Sequence, residues 1–282
     1  MSDQRTIRVA IIGNPNCGKT CLFNNLTGAR QHVGNWPGVT VEQKTGSYVY
    51  RAQPYEVLDL PGTYSLIPYS IEEEVVETFL RREAPDVLVN ILDATNLERH
   101  LLLTAQLIGL GIPMVLALNM MDEAEHHGVR IDIASLSRML GVPVVATVAR
   151  RNKGTNALLQ AIAAQAQAVA PAAGMATVDF GAGVEEALKE LCAQLPGIPG
   201  AAPPRQRALT LLRGRPLRTE DHALAERARA LRAQLERRLH DTLENYLLGR
   251  CYGFAHGLAR IAQPQGHAQA HGGIRVHPER AA

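Results

Sequence analysis

Aromatic side chains are scarce in this sequence, making up 4% of its 282 residues. Proteins that stack RNA bases rely on aromatic rings, so the scarcity argues against a nucleic-acid partner. Cysteine is rare as well: four residues provide neither a disulfide framework nor a CxxC metal pair, which indicates a reducing compartment. No apolar run reaches the roughly 18 to 20 residues of a membrane span, and the N-terminus lacks the apolar centre of a signal peptide. We therefore expect a soluble chain that is not secreted.

The charges are distributed unevenly along the chain. Residues 1–200 carry 15 basic and 20 acidic side chains, a net charge of −5. Residues 201–282 carry 14 basic side chains, all of them arginine, and 7 acidic ones, a net charge of +7. This asymmetry predicts two domains with different partners, and their opposite signs predict that the domains attract each other electrostatically.

Short β-branched runs alternate with helical patterns through the first 170 residues. Strands are predicted at residues 7–12, 41–50, 55–58, 87–92, 114–118 and 142–148. Helices are predicted at 19–26, 71–82, 99–110, 133–140 and 156–170, and the Gly- and Pro-rich stretch 31–40 is a predicted loop. This alternation predicts an α/β domain over residues 1–170, doubly wound around a mainly parallel sheet.

Only helical patterns follow. Helices are predicted at 184–195, at 204–213 and, with Thr219 as N-cap, along one amphipathic stretch that reaches Tyr246. Residues 171–262 are therefore predicted to form a small all-α domain. Residues 263–282 are rich in Gly, Gln, His and Pro and are predicted to be a disordered tail.

A phosphate-binding loop follows the first predicted strand. Residues 13–20 read GNPNCGKT and fit GxxxxGK(S/T), placed between a strand and a helix as this motif requires. Backbone N–H groups and the helix N-terminus would face phosphate oxygens, Lys19 would reach the β- and γ-phosphates, and the Thr20 hydroxyl would ligate Mg²⁺. The residues predicted to bind nucleotide here are Gly13, Asn14, Pro15, Asn16, Cys17, Gly18, Lys19, Thr20 and Cys21.

A second phosphate-sensing loop, DLPG, follows the strand predicted at 55–58. Asp59 would hold Mg²⁺ through water, and the Gly62 N–H would contact the γ-phosphate. Thr63 stands where Ras-type enzymes have the glutamine that orients the attacking water, which predicts slow hydrolysis. The acidic run at 72–74 either places that water or is a solvated helix start.

Two further loops indicate guanine. Asn119, Met120 and Asp122 belong to NMMD, which resembles NKxD with methionine in place of lysine. The Asp122 carboxylate would accept hydrogen bonds from guanine N1–H and the 2-amino group, which adenine does not offer. Residues 147–149 follow the next strand, where related proteins have a serine-alanine-lysine loop. The backbone N–H groups of these three residues, Thr147, Val148 and Ala149, would contact guanine O6.

The order of these loops is that of the small Ras-like GTPases. Residues 34–40, GNWPGVT, together with GNPNxGKT, DLPGTYSL and NMMDEA, closely resemble the ferrous iron transport protein B (FeoB) family over about residues 8–154. The resemblance implies a GTP-binding domain followed by a helical domain likened to a GDP-dissociation inhibitor. It places both at the cytoplasmic face of the bacterial inner membrane, ahead of an Fe²⁺-moving membrane domain that this sequence does not contain. The partners implied are GTP or GDP, that membrane domain and, as an open alternative, further copies of the chain.

The resemblance also assigns residues to Mg²⁺ and to an activating K⁺. Thr40 corresponds to the switch threonine that binds Mg²⁺ and senses the γ-phosphate. Asn16 would help to hold K⁺ beside the phosphates, with the carbonyl oxygens of Gly34 and Trp36, and core packing does not explain an aromatic in such a loop. The implied magnesium set is Thr20, Thr40 and Asp59, and the implied catalytic set is Asn16, Lys19, Thr40 and Gly62. Cys17 departs from the usual serine, and its place beside a helix N-terminus predicts a lowered pKa and sensitivity to oxidation.

Two other classes remain as alternatives. A ribosome- or tRNA-associated Ras-like GTPase has similar loops, but predicts an appended RNA-binding module with aromatics and lysines. A P-loop kinase or ATPase shares the first loop only, and Asp122 argues against it. A titration with GTP and ATP separates the second alternative from a GTPase.

Overall fold

A seven-stranded mixed sheet organises the first part of the chain. The computed structural model describes residues 5–28, 31–67, 70–83, 85–168, 174–198, 203–215, 217 and 222–263. The sheet has the order β2-β3-β4-β1-β5-β6-β7; β2, β3 and β4 pair antiparallel, and the remaining pairs are parallel. Its strands are β1 (Ile7–Gly13), β2 (Gln31–Asn35), β3 (Glu42–Tyr50), β4 (Gln53–Asp59), β5 (Val87–Asp93), β6 (Met114–Asn119) and β7 (Val144–Ala146).

Helices cover both faces of this sheet, as the apolar, β-branched sequences of its central strands require. The helices described in this unit are α1 (Lys19–Thr27), α2 (Ile71–Arg82), α3 (Leu97–Ile108), α4 (Met121–His126), α5 (Ile133–Leu140) and α6 (Thr155–Ala166). One core cluster lies under α1 and α6 and includes Phe23 and Leu158, and the other lies under α2, α3 and α5 and includes Leu101 and Leu136. The architecture is therefore the predicted α/β fold with a mainly parallel sheet.

Four helices follow and form a second, all-helical unit. They are α7 (Ala182–Gln194), α8 (Pro204–Leu212), α9 (His222–Leu239) and α10 (Leu243–Ala262). Their shared core includes Leu188, Leu212, Leu231 and Leu243, and α3 adds Leu102 and Ala105 to it. No helix within the described ranges has both the length and the apolar character needed to cross a bilayer.

Three predictions of secondary structure need correction. Residues 31–40 are not all loop, because residues 31–35 pair with the edge of β3 as β2, a contact that local sequence does not reveal. The helix predicted to run to Tyr246 ends at Leu239: His240 adopts a left-handed φ of 55°, and the Thr242 hydroxyl accepts from Asn245 N to cap α10. The helix predicted at 156–170 ends at Ala166. The predicted N-cap Thr219, the boundary at 170/171 and residues 264–282 lie outside the described residues.

The last helix joins the helical unit to the sheet unit. Ala255, Leu258 and Ala259 of α10 are buried in the core cluster of α3 and α5, and Asp132 N donates to Ala262 O over 2.9 Å. An ion pair between Arg215 and Glu77 of α2 also crosses this boundary, and Nδ1 of His256 lies 3.0 Å from Oε1 of Glu98 on α3. The predicted electrostatic attraction is thus accompanied by a continuous apolar contact, which the charge distribution did not indicate.

Candidate nucleotide-binding site

The predicted phosphate and base loops meet at one edge of the sheet. Gly13 ends β1, Asp59 ends β4 and Asn119 ends β6, while Thr147 directly follows β7. The strands β4, β1, β5, β6 and β7 run parallel, so their carboxyl ends lie at the same edge. The strand order also reverses around β1, where open α/β sheets form their ligand-binding crevice.

The phosphate loop is held in shape by its glycine and by a distant asparagine. Gly18 has a left-handed φ of 89°, and a Cβ at this position would lie 2.2 Å from Nδ2 of Asn119. That Nδ2 donates to the carbonyl oxygen of Cys17 over 2.9 Å. A side chain at position 18 would therefore break the contact between the phosphate loop and the base loop.

Lys19 and Asp59 form the buried ion pair of the site. Nζ of Lys19 lies 2.5 Å from Oδ1 of Asp59, and the two side chains are 14% and 7% exposed. Burial raises the pKa of the Asp59 carboxyl, and the nearby Lys19 ammonium opposes this shift only in part. The group predicted to hold phosphate and the group predicted to hold Mg²⁺ are therefore in direct contact, with Thr20 next to Lys19 in the first turn of α1.

The DLPG loop lies directly against the phosphate loop. Leu60 N donates to Ile11 O over 2.9 Å, and Thr63 N donates to Gly13 O over 3.2 Å. A Cβ on Gly62 would lie 3.3 Å from Cγ of Pro15, tighter than most such contacts. Gly62 is thus positioned beside the phosphate loop, as its predicted role requires.

Thr63 has a structural role in this loop. Its buried hydroxyl donates to Ser65 O over 2.6 Å and lies 3.3 Å from a carboxylate oxygen of Glu73 in α2. Ser65 and Leu66 are held in turn by Oε1 of Gln106 on α3, which accepts from Ser65 Oγ and from Leu66 N. Sequence reasoning missed Glu73 as a partner of Thr63, and it missed Gln106, because no local pattern marks either contact.

Asn119 connects the base loops to each other. Its Oδ1 accepts from Ala149 N over 2.9 Å and from the Thr147 hydroxyl over 3.2 Å, while its Nδ2 reaches Cys17. Met120 follows in a left-handed conformation with φ of 61°, which turns the chain into α4. The structure therefore brings the predicted base residues and the phosphate loop together through one buried amide.

Asp122 lies in the first turn of α4 and is paired with an arginine. Its Oδ2 accepts from Nη2 of Arg150 over 2.8 Å, and its Oδ1 accepts from Glu123 N over 3.1 Å. The hydrogen bond from Arg150 holds the pKa of the Asp122 carboxyl below its usual range. Sequence reasoning missed Arg150, although its position directly after residues 147–149 is a usable signal.

Gly34 and Trp36, assigned to K⁺ together with Asn16, and the switch threonine Thr40 lie in β2 and in the loop after it, outside the phosphate loop that contains Asn16. Trp36 is buried, and its ring meets that of Phe79 edge-on at a centroid distance of 5.5 Å, so core packing does explain this aromatic. Its carbonyl oxygen accepts from Val39 N over 3.2 Å. Gly34 belongs to β2, and Thr40 is exposed in the loop after it, with no hydrogen bond to Thr20 or Asp59 among the described residues.

Cys17 differs from its prediction. Burial raises the pKa of its thiol to about 11, and this effect outweighs the stabilisation of the thiolate by the nearby backbone and by Lys19. A thiol of this kind is protonated at neutral pH, so a lowered pKa and ready oxidation are not supported. The neighbouring Asn14 is also buried, and both polar atoms of its amide lack a hydrogen-bond partner.

Two family models match the chain. The model described as ferrous iron transport protein B matches residues 7–162, and the model of the FeoB cytosolic helical domain matches residues 180–262. The chain is 43% identical over 212 residues to a Porphyromonas gingivalis Fe(2+) transport protein A/Fe(2+) transporter FeoB fusion protein, covering 74% of this chain and 25% of that protein. It is 50% identical over 162 residues to the Fe(2+) transporter FeoB of Salmonella typhimurium, covering 56% of this chain and 21% of that protein. The chain thus spans about a quarter of the length of these curated relatives.

Solved structures resemble the whole described architecture. A GDP-bound point mutant of S. thermophilus NFeoB superposes with a TM-score of 0.79 at 35% identity, covering 92% of this chain and 100% of that one. The cytosolic domain of L. pneumophila FeoB gives 0.74 at 37% identity, with 91% and 99% covered. The cytosolic domain of the T. maritima FeoB iron transporter in its GMPPNP form gives 0.72 at 30% identity, also with 91% and 99% covered.

Proposed function

Because the chain belongs to the ferrous iron transport protein B family, we propose that it is a GTP-binding and slowly GTP-hydrolysing switch that regulates a membrane Fe²⁺ transporter. The observation that carries the proposal is the meeting of the phosphate loop, DLPG and NMMD at one sheet edge, joined by Lys19–Asp59 and by Asn119. The proposed partner is a membrane domain of the same protein at the cytoplasmic face of the bacterial inner membrane.

The phosphate loop supplies the groups that bind the nucleotide's phosphates. Lys19 would leave Asp59 for the β- and γ-phosphates, and the Gly62 N–H would donate to the γ-phosphate. The Asn14 amide, buried without a partner, is a donor and an acceptor that fits a polar ligand at this loop. At the base end, Asp122 would select guanine over adenine through its two carboxylate oxygens.

The residues at this edge also fit Mg²⁺. Asp59 is a buried carboxylate paired with the Lys19 ammonium, and Thr20 follows Lys19 in the first turn of α1; hard divalent cations prefer carboxylate and hydroxyl oxygen ligands. Thr20 and Asp59, with Thr40 after a movement of its exposed loop, would hold the ion. When bound, Mg²⁺ would neutralise charge that develops on the phosphates.

Potassium activation is part of the proposal and requires a loop to move. Asn16 supports it, since this residue is exposed in the phosphate loop with a left-handed φ of 66°. The Trp36 carbonyl oxygen accepts from Val39 N in the structure, so residues 36–41 would have to rearrange before that oxygen reached a cation. The proposed order is therefore that the loop closes first and the cation site forms afterwards.

Slow hydrolysis follows from the absence of a water-orienting side chain after Gly62. Thr63 is buried and committed to Ser65 and Glu73, so its hydroxyl has a structural role rather than a role toward water. The remaining charge stabilisation comes from Lys19, the bound metal and the proposed K⁺. A switch of this kind changes loop conformation when the γ-phosphate is lost.

Phosphate release tests this function directly. The chain would be incubated with GTP or ATP in buffer containing Mg²⁺ and K⁺, with Lys19→Ala as the inactive reference. We expect slow release from GTP, little from ATP and none above background for the variant. Equal release from GTP and ATP, or undiminished release by the variant, would contradict the proposal.

A further inference from the structure

Arg150 pairs with Asp122, the carboxylate proposed to select the base. Arg150 follows the loop at 147–149, and its guanidinium lies between two acids at the start of α4. Nη2 donates to Oδ2 of Asp122 over 2.8 Å, and Nη1 lies 3.0 Å from Oε1 of Glu123. The second oxygen of Asp122 accepts from Glu123 N, so both carboxylate oxygens are engaged within the protein.

The guanidinium and the guanine edge offer Asp122 the same kind of partner. Each presents planar N–H donors, and a carboxylate accepts either as a pair of nearly parallel hydrogen bonds. We propose that Arg150 is a specificity-determining residue of the base site, which occupies Oδ2 of Asp122, an oxygen that guanine would use, and which guanine must displace. This inference rests on the proposed guanine-nucleotide function and adds the residue that sets how tightly the base is held.

Glu123, the second acid beside Arg150, allows the guanidinium to leave Asp122 without losing both of its acidic partners. Arg150 is 57% exposed, whereas Asp122 is 17% exposed, so the guanidinium is free to turn away while the carboxylate stays in place. Glu123 continues to pair with Nη1 after Nη2 has left Asp122, so the arginine loses one of two partners. Displacement therefore weakens guanine binding modestly, and the return of Arg150 to Asp122 assists release of the base.

Arg151 provides a matched control. It has the same charge and the same 57% exposure, and its Nε lies 3.7 Å from Oδ2 of Asp122, too far for a hydrogen bond. Loss of either arginine removes one positive charge from the neighbourhood of the nucleotide. Only loss of Arg150 removes a side-chain hydrogen bond from the Asp122 carboxylate.

The test compares GDP and ADP affinities of the full chain, Arg150→Ala and Arg151→Ala by calorimetric titration. Exposed charge pairs of this kind change equilibria by about two- to fivefold. We expect Arg150→Ala to bind GDP about two- to fivefold more tightly than Arg151→Ala, with slower GDP release. ADP affinity should be the same in the two variants, because adenine offers no donors to Asp122. High salt should shrink the GDP difference, because it screens the exposed pair.

The outcomes separate this inference from the function on which it rests. If the unsubstituted chain binds GDP no better than ADP, the guanine-nucleotide function itself fails. If the chain prefers GDP but Arg150→Ala binds it as Arg151→Ala does, Arg150 does not compete for Asp122. Weaker GDP binding by Arg150→Ala than by Arg151→Ala would show that Arg150 assists the nucleotide, and that also overturns the inference.

Discussion

The two ends of the proposed nucleotide site are built around the same kind of contact in different surroundings. At the phosphate end, Lys19 and Asp59 pair over 2.5 Å with side chains 14% and 7% exposed. At the base end, Arg150 and Asp122 pair over 2.8 Å, but the arginine is 57% exposed. The nitrogen–oxygen distances of the two pairs are nearly the same, whereas Arg150 at the base end is far more exposed to solvent than Lys19 at the phosphate end.

The difference in burial sets what each pair contributes. Breaking a buried pair leaves an uncompensated charge away from water and typically costs about 3–5 kcal/mol, whereas solvent and salt screen an exposed pair. In the nucleotide-free chain, the pair at the phosphate end is therefore expected to be a fixed part of the fold, which separates only when phosphate and Mg²⁺ give Lys19 and Asp59 new partners. The pair at the base end is an exchangeable contact. The predictions that follow test this contrast, beginning with the phosphate end.

The largest effect is expected for Lys19→Ala. The substitution removes the proposed phosphate ligand and leaves Asp59 buried without its cation, so it should lower the free energy of unfolding by about 3 kcal/mol. It should also weaken GDP binding by about a hundredfold or more. Denaturant titration and calorimetry measure the two effects, with Lys189→Ala, an exposed lysine of α7, as the control. A stable Lys19→Ala protein that retains GDP affinity would show that the phosphate end is not the fixed end.

Alkylation of Cys17 tests whether the folded phosphate loop keeps this buried thiol from reacting. Burial raises the pKa of this thiol to about 11, so very little thiolate is present at neutral pH. Iodoacetamide at pH 7.5 should leave Cys17 unmodified in the folded chain and modify it readily in denaturant, as measured by peptide mass spectrometry. Rapid modification of the folded chain would restore the earlier expectation of a reactive P-loop cysteine.

Potassium is expected to act at Asn16, the exposed asparagine of the phosphate loop. A cation beside the bridging oxygen of the β- and γ-phosphates would take the place of an arginine finger, so K⁺ should raise the GTP hydrolysis rate over Na⁺ by about tenfold. Asn16→Ala should lose that difference and retain GDP binding. Equal rates in K⁺ and Na⁺ for the unsubstituted chain would remove potassium from the account.

The smallest effect concerns the link from the phosphate end to the helical unit. Arg215, in the segment after α8, pairs with Glu77 on α2, and the two side chains are 21% and 15% exposed. A double-mutant cycle of Arg215→Ala and Glu77→Gln should give a coupling of about 1 kcal/mol in the rate of fluorescent-GDP release. Arg227→Ala breaks a pair with Glu190 inside the helical unit and should leave release unchanged. Additive effects of the two substitutions would mean that this pair does not connect the switch to the helices.

The sequence was sufficient for the features that depend on local pattern. The phosphate loop, DLPG and NMMD are each a short continuous motif that directly follows a predicted strand, and the carboxyl ends of parallel strands lie at one sheet edge. The start of α10 also had a local signal that was overlooked, since Thr242 is a preferred N-cap residue and Glu244 lies in the first turn after it.

Features that depend on distant partners were not predictable in this way. The strand β2 exists because β3 offers it an edge, and Trp36 is buried because Phe79 of α2 lies against it. The hydrogen bond of Arg150 to Asp122 was not predictable for the same reason, since the two residues are 28 positions apart, although the place of Arg150 directly after residues 147–149 marked it as a neighbour of the base loops. The distribution of charged residues likewise did not predict that α10 packs on the sheet unit, where its apolar residues complete the core.

The central claim is that this site selects guanine through Asp122, and competitive titration tests it most directly. GDP and ADP would be titrated into the unsubstituted chain and into Asp122→Asn, which keeps the side-chain shape and removes the charge. We expect one GDP per chain, bound at least about a hundredfold more tightly than ADP, with most of that preference lost in Asp122→Asn. Equal affinity for GDP and ADP in the unsubstituted chain, or an unchanged preference in Asp122→Asn, would contradict the account.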